Sequence, residues 1–383
     1  VTGQAGGLAV PAALESADPA GVLSESLHAW AAGFMRSLRM HRENAGSAQT
    51  AAAAEEAVRR LRRASRRIGS ALLTYRPLVD AAWADELSGE LRHVSGTLAR
   101  EHRCAARQRR LLTALHRLAV EGAGGDRAAA LLERQHTLAR NRAHSAALET
   151  LVSSRFHAVA DAVAVLAYEV PLAAGAEEGS AAAVLVPMAE RARTSLVRAV
   201  EALPPSARAS ARPPEGKEAR DGQETPEVPP ARGGPGLQSR QDAAWLEVRT
   251  LLRHHRYAQE VLHTAGAPPD ATVGSASGDP GGGASGAARR GSEGGGEAGP
   301  DPLLRQASAA LDRYRDSVEA AEAAAAAART PRIAPATAYA LGVLHAGQRQ
   351  EAEAARREFG VLWQRAMKGE QAGSQREAAQ QAV

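Results

Sequence analysis

A single cysteine, Cys104, stands in the chain, so no disulfide can form within it and a disulfide-stapled scaffold is excluded. Aromatic residues supply only 3%. β-Sandwiches and barrels draw on aromatic and β-branched residues, and single-stranded nucleic-acid sites draw on stacking platforms. Both readings lack their material here. No run of 18 apolar residues occurs, which argues against a membrane span. The first residues carry no basic segment followed by an apolar block, so no export signal is expected and cytoplasm is the expected compartment. Lysine is nearly missing as well: only Lys217 and Lys368 occur, and 45 of the 47 basic residues are arginine. The guanidinium is a planar fork of donors that matches phosphate and carboxylate.

What the chain does have is alanine, leucine and valine, which dominate a hydrophobic fraction of 44% and suit closely packed helices. Residues 204–240 hold eight of the 20 prolines, and residues 266–300 hold twelve of the 36 glycines. Neither segment has the apolar periodicity needed to offset the entropy of ordering, so both read as disordered inserts. Between them the apolar residues recur at three and four positions. This spacing predicts helices over about 24–43, 51–76, 78–120 (bent near Gly89 or Gly96), 127–172 with Asp126 as N-cap, 187–202, 240–264, 302–329 with Asp301 as N-cap, and from Pro335 to about Gly369. The resulting division is a flexible tail 1–22, a first helical half 23–203, a second half 241–369 that contains the insert 266–300, and a flexible tail 370–383.

The most informative stretch is 58–76. Val58, Leu61, Ile68, Leu72 and Tyr75 share one helical face. Six arginines, among them Arg59, Arg62, Arg63, Arg66 and Arg67, occur in the nine positions 59–67 without one acidic residue. Like charges three and four apart repel by a few tenths of a kcal/mol per pair. A solvated face ordinarily alternates signs, so this cluster points to an anionic partner, with a solubilising or internally paired surface as the plainer reading. A weaker copy follows Trp245: Arg249, Arg253, His254 and Arg256 repeat the four-residue step of Arg62 and Arg66. Two similar halves, each with a basic helix, are expected to face each other. Arg191 and Arg193 lie outside both motifs.

These windows resemble the CHAD family, named for a conserved-histidine α-helical domain. Val58 opens its first motif, Arg62 takes the arginine, and Arg66-Arg67-Ile68 takes the basic pair and its leucine. Arg76 to Leu91 is similar to what such proteins carry next, and Ser154-Arg155-Phe156 matches a third window loosely. Arg249, Arg253, His254, Arg256 and Tyr257 occupy the repeat motif, and Ala340 to Trp363 completes the series. The resemblance implies an all-α fold of two four-helix bundles related by a pseudo-twofold axis. It also implies non-enzymatic binding of inorganic polyphosphate, with no catalytic residue, cofactor or metal, and association with polyphosphate granules. This chain departs from the family at both name-giving histidines, which fall on Arg59 and Leu246. The family's acidic residue after the third segment falls on Arg103, and His102 replaces a usual arginine.

The expected ligand-binding residues are therefore Arg59, Arg62, Arg63, Arg66, Arg67, Arg249, Arg253, His254 and Arg256, and the expected partner is polyphosphate or another polyanion. Nucleic acid is disfavoured by the modest net charge of +4 and the missing helix-turn-helix pattern. A helical scaffold that kept the fold, lost the ligand and binds a protein partner stays open as the alternative. Four Glu-x-x-His pairs, Glu25-His28, Glu90-His93, Glu133-His136 and Glu260-His263, place both side chains on one helix face as di-iron bundles do. They read as exposed helix pairs. Cys104 and His102 point apart on a helix and form no dyad.

Overall fold

The computed structural model describes residues 12–44, 48–120, 125–203, 235–264 and 302–381. The fold is all-α. Among the described residues nine α-helices follow in order: α1 (Pro19–Asn44), α2 (Ala51–Thr74), α3 (Ala81–Val120), α4 (Asp126–Val152), α5 (Ser154–Leu166), α6 (Ala181–Glu201), α7 (Pro235–Thr264), α8 (Pro302–Ala328) and α9 (Pro335–Gln381). Among the described residues the β pairing is a lone antiparallel bridge, Val79 to Leu172. The insert 266–300, residues 204–234 and the expected cap Asp301 lie outside the described residues.

Two helix-rich clusters, α1–α4 and α6–α9, form two bundles. The first core gathers Leu27, Phe34, Leu61, Ile68, Leu72, Leu91 and Phe156. The second gathers Trp245, Leu252, Leu311, Tyr314 and Phe359. A third apolar cluster joins the bundles where the far ends of α3 and α4 meet α8 and α9, with Leu111, Leu115, Leu132, Ala324 and Leu341. Arg110 reinforces that junction by donating to Ser317 at 2.6 Å and to Gln348 and Glu351.

Several boundaries differ from the sequence expectations, each for a local reason. Within the expected tail 1–22, residues 12–22 are ordered and 1–11 lie outside the described residues: Ala12–Glu15 forms a 3-10 turn, Leu14 is fully buried, and Asp18 caps α1 by accepting from the amide of Gly21 at 2.6 Å. The expected 127–172 helix breaks at Ser153, whose extended backbone and Oγ, accepting from Phe156 N at 3.1 Å, start α5. Asp126 sits in the first turn of α4, with Gly125 at the cap. α6 begins at Ala181 because Ser180 caps it, and Pro187 is carried inside the helix. α3 is helical through Gly89 and Gly96 without interruption. α7 begins at Pro235, inside the segment expected to be an insert, and α9 continues past Gly369 to Gln381, through most of the expected tail. α6, expected in the first half, is shared. Leu185 and Ala189 enter the first core, whereas Leu196 and Val200 enter the second.

The basic helix α2 forms despite its charge. Leu61, Ile68 and Leu72 are essentially buried, each contributing about 2 kcal/mol. That outweighs repulsion of a few tenths per arginine pair. Val58 is half-buried against the same core. At the end of the helix Tyr75 is fully buried, and its hydroxyl donates to the Ala258 carbonyl at 3.0 Å, tying α2 to α7.

Candidate anion-binding groove

α2 and α7 lie against each other between α3 and α8, and their arginines converge on one groove. Its outer lobe, about 630 Å³, is lined by Arg59, Arg63, Arg67, Arg256, His102 and the carboxylates Glu260, Asp312 and Asp316. Its inner lobe, about 340 Å³, is lined by Arg92, Arg103 and His254 with Ser65, Ser70, Ser88, Ser95 and Thr250. No carboxylate is among the inner lining residues. Arg62, Arg66, Arg249, Arg253 and Arg315 line both lobes, so the groove is continuous.

Electrostatics separates these arginines. Burial pushes the Arg62 guanidinium down to about 10, helped by the like charges of Arg66, Arg103, Arg315 and Arg249. Burial and the neighbouring Arg249 also push Arg253 down to about 10. Arg103 is lowered by burial, with Glu319 opposing and Arg315 adding to the fall. Among the described residues no carboxylate pairs with Arg62, Arg66 or Arg253; Arg253 reaches only the Thr250 hydroxyl, at 3.5 Å. The buried Arg62 Nε has no hydrogen-bond partner. Such a cluster of unneutralised, partly desolvated cations is stabilised by an anion that accepts from several forks at once.

The other sequence-expected residues have diverse surroundings. Arg59 stands at the mouth and is already engaged, with Glu56 at 2.8 Å and Glu55 at 3.7 Å. Arg63 is exposed on the outer lobe. Arg67 pairs with Glu260 at 2.7 Å and lies over the Trp30 ring, 5.9 Å from its centroid, so it straps α2 to α7. Arg249 donates from Nε to Asp312 at 2.6 Å. Arg256 faces the outer lobe with a buried, unpartnered Nε. His254 faces the inner lobe, where burial, Arg253 and Arg92 push it down to about 4. It is neutral at pH 7, a hydrogen-bonding group with no charge to add. Leu246, at the second histidine position of the family, is exposed and lines neither lobe.

Three groove arginines were absent from the expected set: Arg92, Arg103 and Arg315. The first two were legible as a pattern, since Ser88, Arg92, Ser95, Ala99 and Arg103 recur at three and four positions and share one face of α3. Arg103 also stands where the family carries an acid, and here it adds positive charge to the groove. Arg315 lacked such a signal, because α8 reads as an amphipathic helix of mixed charge. Of the Glu-x-x-His pairs, Glu90 is held by Arg155 at 2.5 Å and Glu260 by Arg67, and His136, expected to be exposed, is buried. Among the described residues no group of three or more His, Cys, Asp or Glu is arranged to hold a metal ion. No helix among them is long and apolar enough to cross a membrane.

A family model described as the CHAD domain matches residues 10–275. Among solved structures the chain is similar to PptA from Streptomyces chartreusis, at 45% sequence identity, with 91% of this chain and 100% of that chain covered and a TM-score of 0.67. No curated protein matches.

Proposed function

Since the chain belongs to the CHAD domain family, we propose that it binds inorganic polyphosphate non-enzymatically, in the arginine groove between its two bundles. The observation that carries this reading is the continuity of the groove across both halves: Arg62 and Arg66 from α2 line the same two lobes as Arg249 and Arg253 from α7. A polymer with a charge on every unit and no bases suits this lining, which offers guanidinium forks and hydroxyls and no aromatic platform in the inner lobe. Arg92, Arg103 and Arg315 extend the proposed contact set. Arg59 and Arg67, held by internal carboxylates, have the lesser part in it. Co-sedimentation of the chain with polyphosphate granules would follow from the same affinity.

The test is a titration of the full chain with long-chain polyphosphate at low and high salt, competed by nucleic acid and by orthophosphate. Binding should weaken as salt rises, because each neutralised phosphate releases condensed counterions. Arg62→Glu with Arg66→Glu should abolish it. Arg134 and Arg142, exposed on α4, are the control pair. Arg193 is unsuitable as one, since it is buried beside Glu190 and His255. Absence of binding by the unaltered chain at low salt would reject the ligand and leave a helical scaffold with a protein partner.

A further inference from the structure

The inner lobe does not end at Arg253. Leu73 and His254 line it, and both also line a third cavity of about 390 Å³ that is bordered by Met188, Arg191 and Ser195 of α6. This third cavity again has no carboxylate among its lining residues, and it carries two more arginines, Arg76 and Arg191. Arg76 is neutralised: its Nε and Nη2 donate to the two Asp85 oxygens at 2.8 and 2.7 Å. Arg191 is exposed on α6, and no described carboxylate pairs with it.

The distribution of acid along the groove therefore has a direction. Glu260, Asp312 and Asp316 stand at the outer end, and none lines the inner lobe or the third cavity. A polyanion seated on Arg62, Arg66 and Arg253 is repelled by carboxylates at one end and meets none at the other, where arginines and hydroxyl residues stand among apolar side chains such as Leu73, Met188 and Leu251. We propose that the polymer path continues through the waist between Leu73 and His254 to Arg191, which forms an additional phosphate subsite reached by long chains alone. The waist suits a passing chain: the His254 imidazole, uncharged at pH 7, keeps one ring N–H able to donate to a phosphate oxygen, and Thr250 and Thr74 line the cavities on its two sides. This subsite rests on the polyphosphate reading of the groove.

The experiment compares the affinity of the full chain for long-chain polyphosphate and for tripolyphosphate, with and without Arg191→Glu. The variant should bind the long chain several-fold more weakly and tripolyphosphate as the unaltered chain does. Arg191→Lys should restore most of the long-chain affinity by returning the charge. Circular dichroism should be unchanged, since the side chain is exposed on a helix surface. Equal long-chain affinities for the unaltered and Arg191→Glu chains overturn the subsite, and so does an equal loss for both lengths. If the unaltered chain binds neither ligand, the groove reading falls first and takes the subsite with it.

Discussion

Arg62 and Arg315 line the same two lobes of one groove, yet their electrostatic states are opposite. Arg62 is held below the usual arginine range by burial and by four neighbouring guanidiniums. Arg315 suffers burial too, but Asp316, Asp312 and Glu319 outweigh it and hold its guanidinium above the usual value. One wall thus presents cations that lack counter-ions, and the other presents cations that already have them. An incoming anion gains most on the first wall, where it relieves repulsion. On the second it must compete with a carboxylate in place. Counting arginines would treat the walls as equal, and only their neighbours tell them apart.

The comparison breaks most directly at its charged centre. Arg62→Glu with Arg66→Glu should lower polyphosphate affinity at least ~100-fold, about 2.7 kcal/mol, because two attractive contacts become repulsive. Isothermal titration at low salt reads this, and a loss under about threefold would move the site elsewhere. Arg253→Gln tests the same wall from α7 and separates binding from stability. Its folded pKa of about 10 lies below the ordinary arginine value, so folding disfavours the charged form at every pH below about 10. Removing the charge should therefore raise the stability of the free protein by roughly 1 kcal/mol while lowering polyphosphate affinity several-fold. Thermal melts with and without ligand would show a higher Tm alone and a smaller ligand-induced shift.

The paired wall should answer in the other direction. Asp312→Asn frees Arg249 from its counter-ion, so long-chain affinity should rise about two- to threefold, a gain of ~0.5 kcal/mol. A fall would show that Asp312 positions Arg249 for the ligand. The same wall difference sets a pH dependence. Arg62 and Arg253 lose their protons near pH 10, so affinity should decline as pH approaches that value, well before ordinary arginines discharge. Titrations at pH 7 and pH 10, with circular dichroism to confirm the fold, would measure it. The smallest effect belongs to Arg59→Ala, which should change affinity by less than about twofold, since Glu55 and Glu56 already neutralise that residue at the surface.

Sequence periodicity determined much of this protein. The all-α class, the inward face of α2 through Leu61, Ile68 and Leu72, and the shared helical face of Arg62 with Arg66 and of Arg249 with Arg253 follow from spacings of three and four. These are local properties, because a helix fixes which side chains share a face before anything packs against it. The break at Ser153 was also local, carried by a serine cap inside an otherwise continuous apolar pattern.

Tertiary structure alone decided which arginines are free. Arg67 and Arg253 look alike in the sequence, each within a basic run on a helix. Arg67 meets Glu260, which lies 193 positions away in the chain, whereas no described carboxylate meets Arg253. Arg315 came to the groove from a helix with no basic motif, and Leu246 was turned out to solvent although it occupies a motif position. The cause is physical. The charge state and desolvation of a guanidinium depend on groups within a few ångströms, and in a two-bundle fold those groups come from helices far apart in the chain.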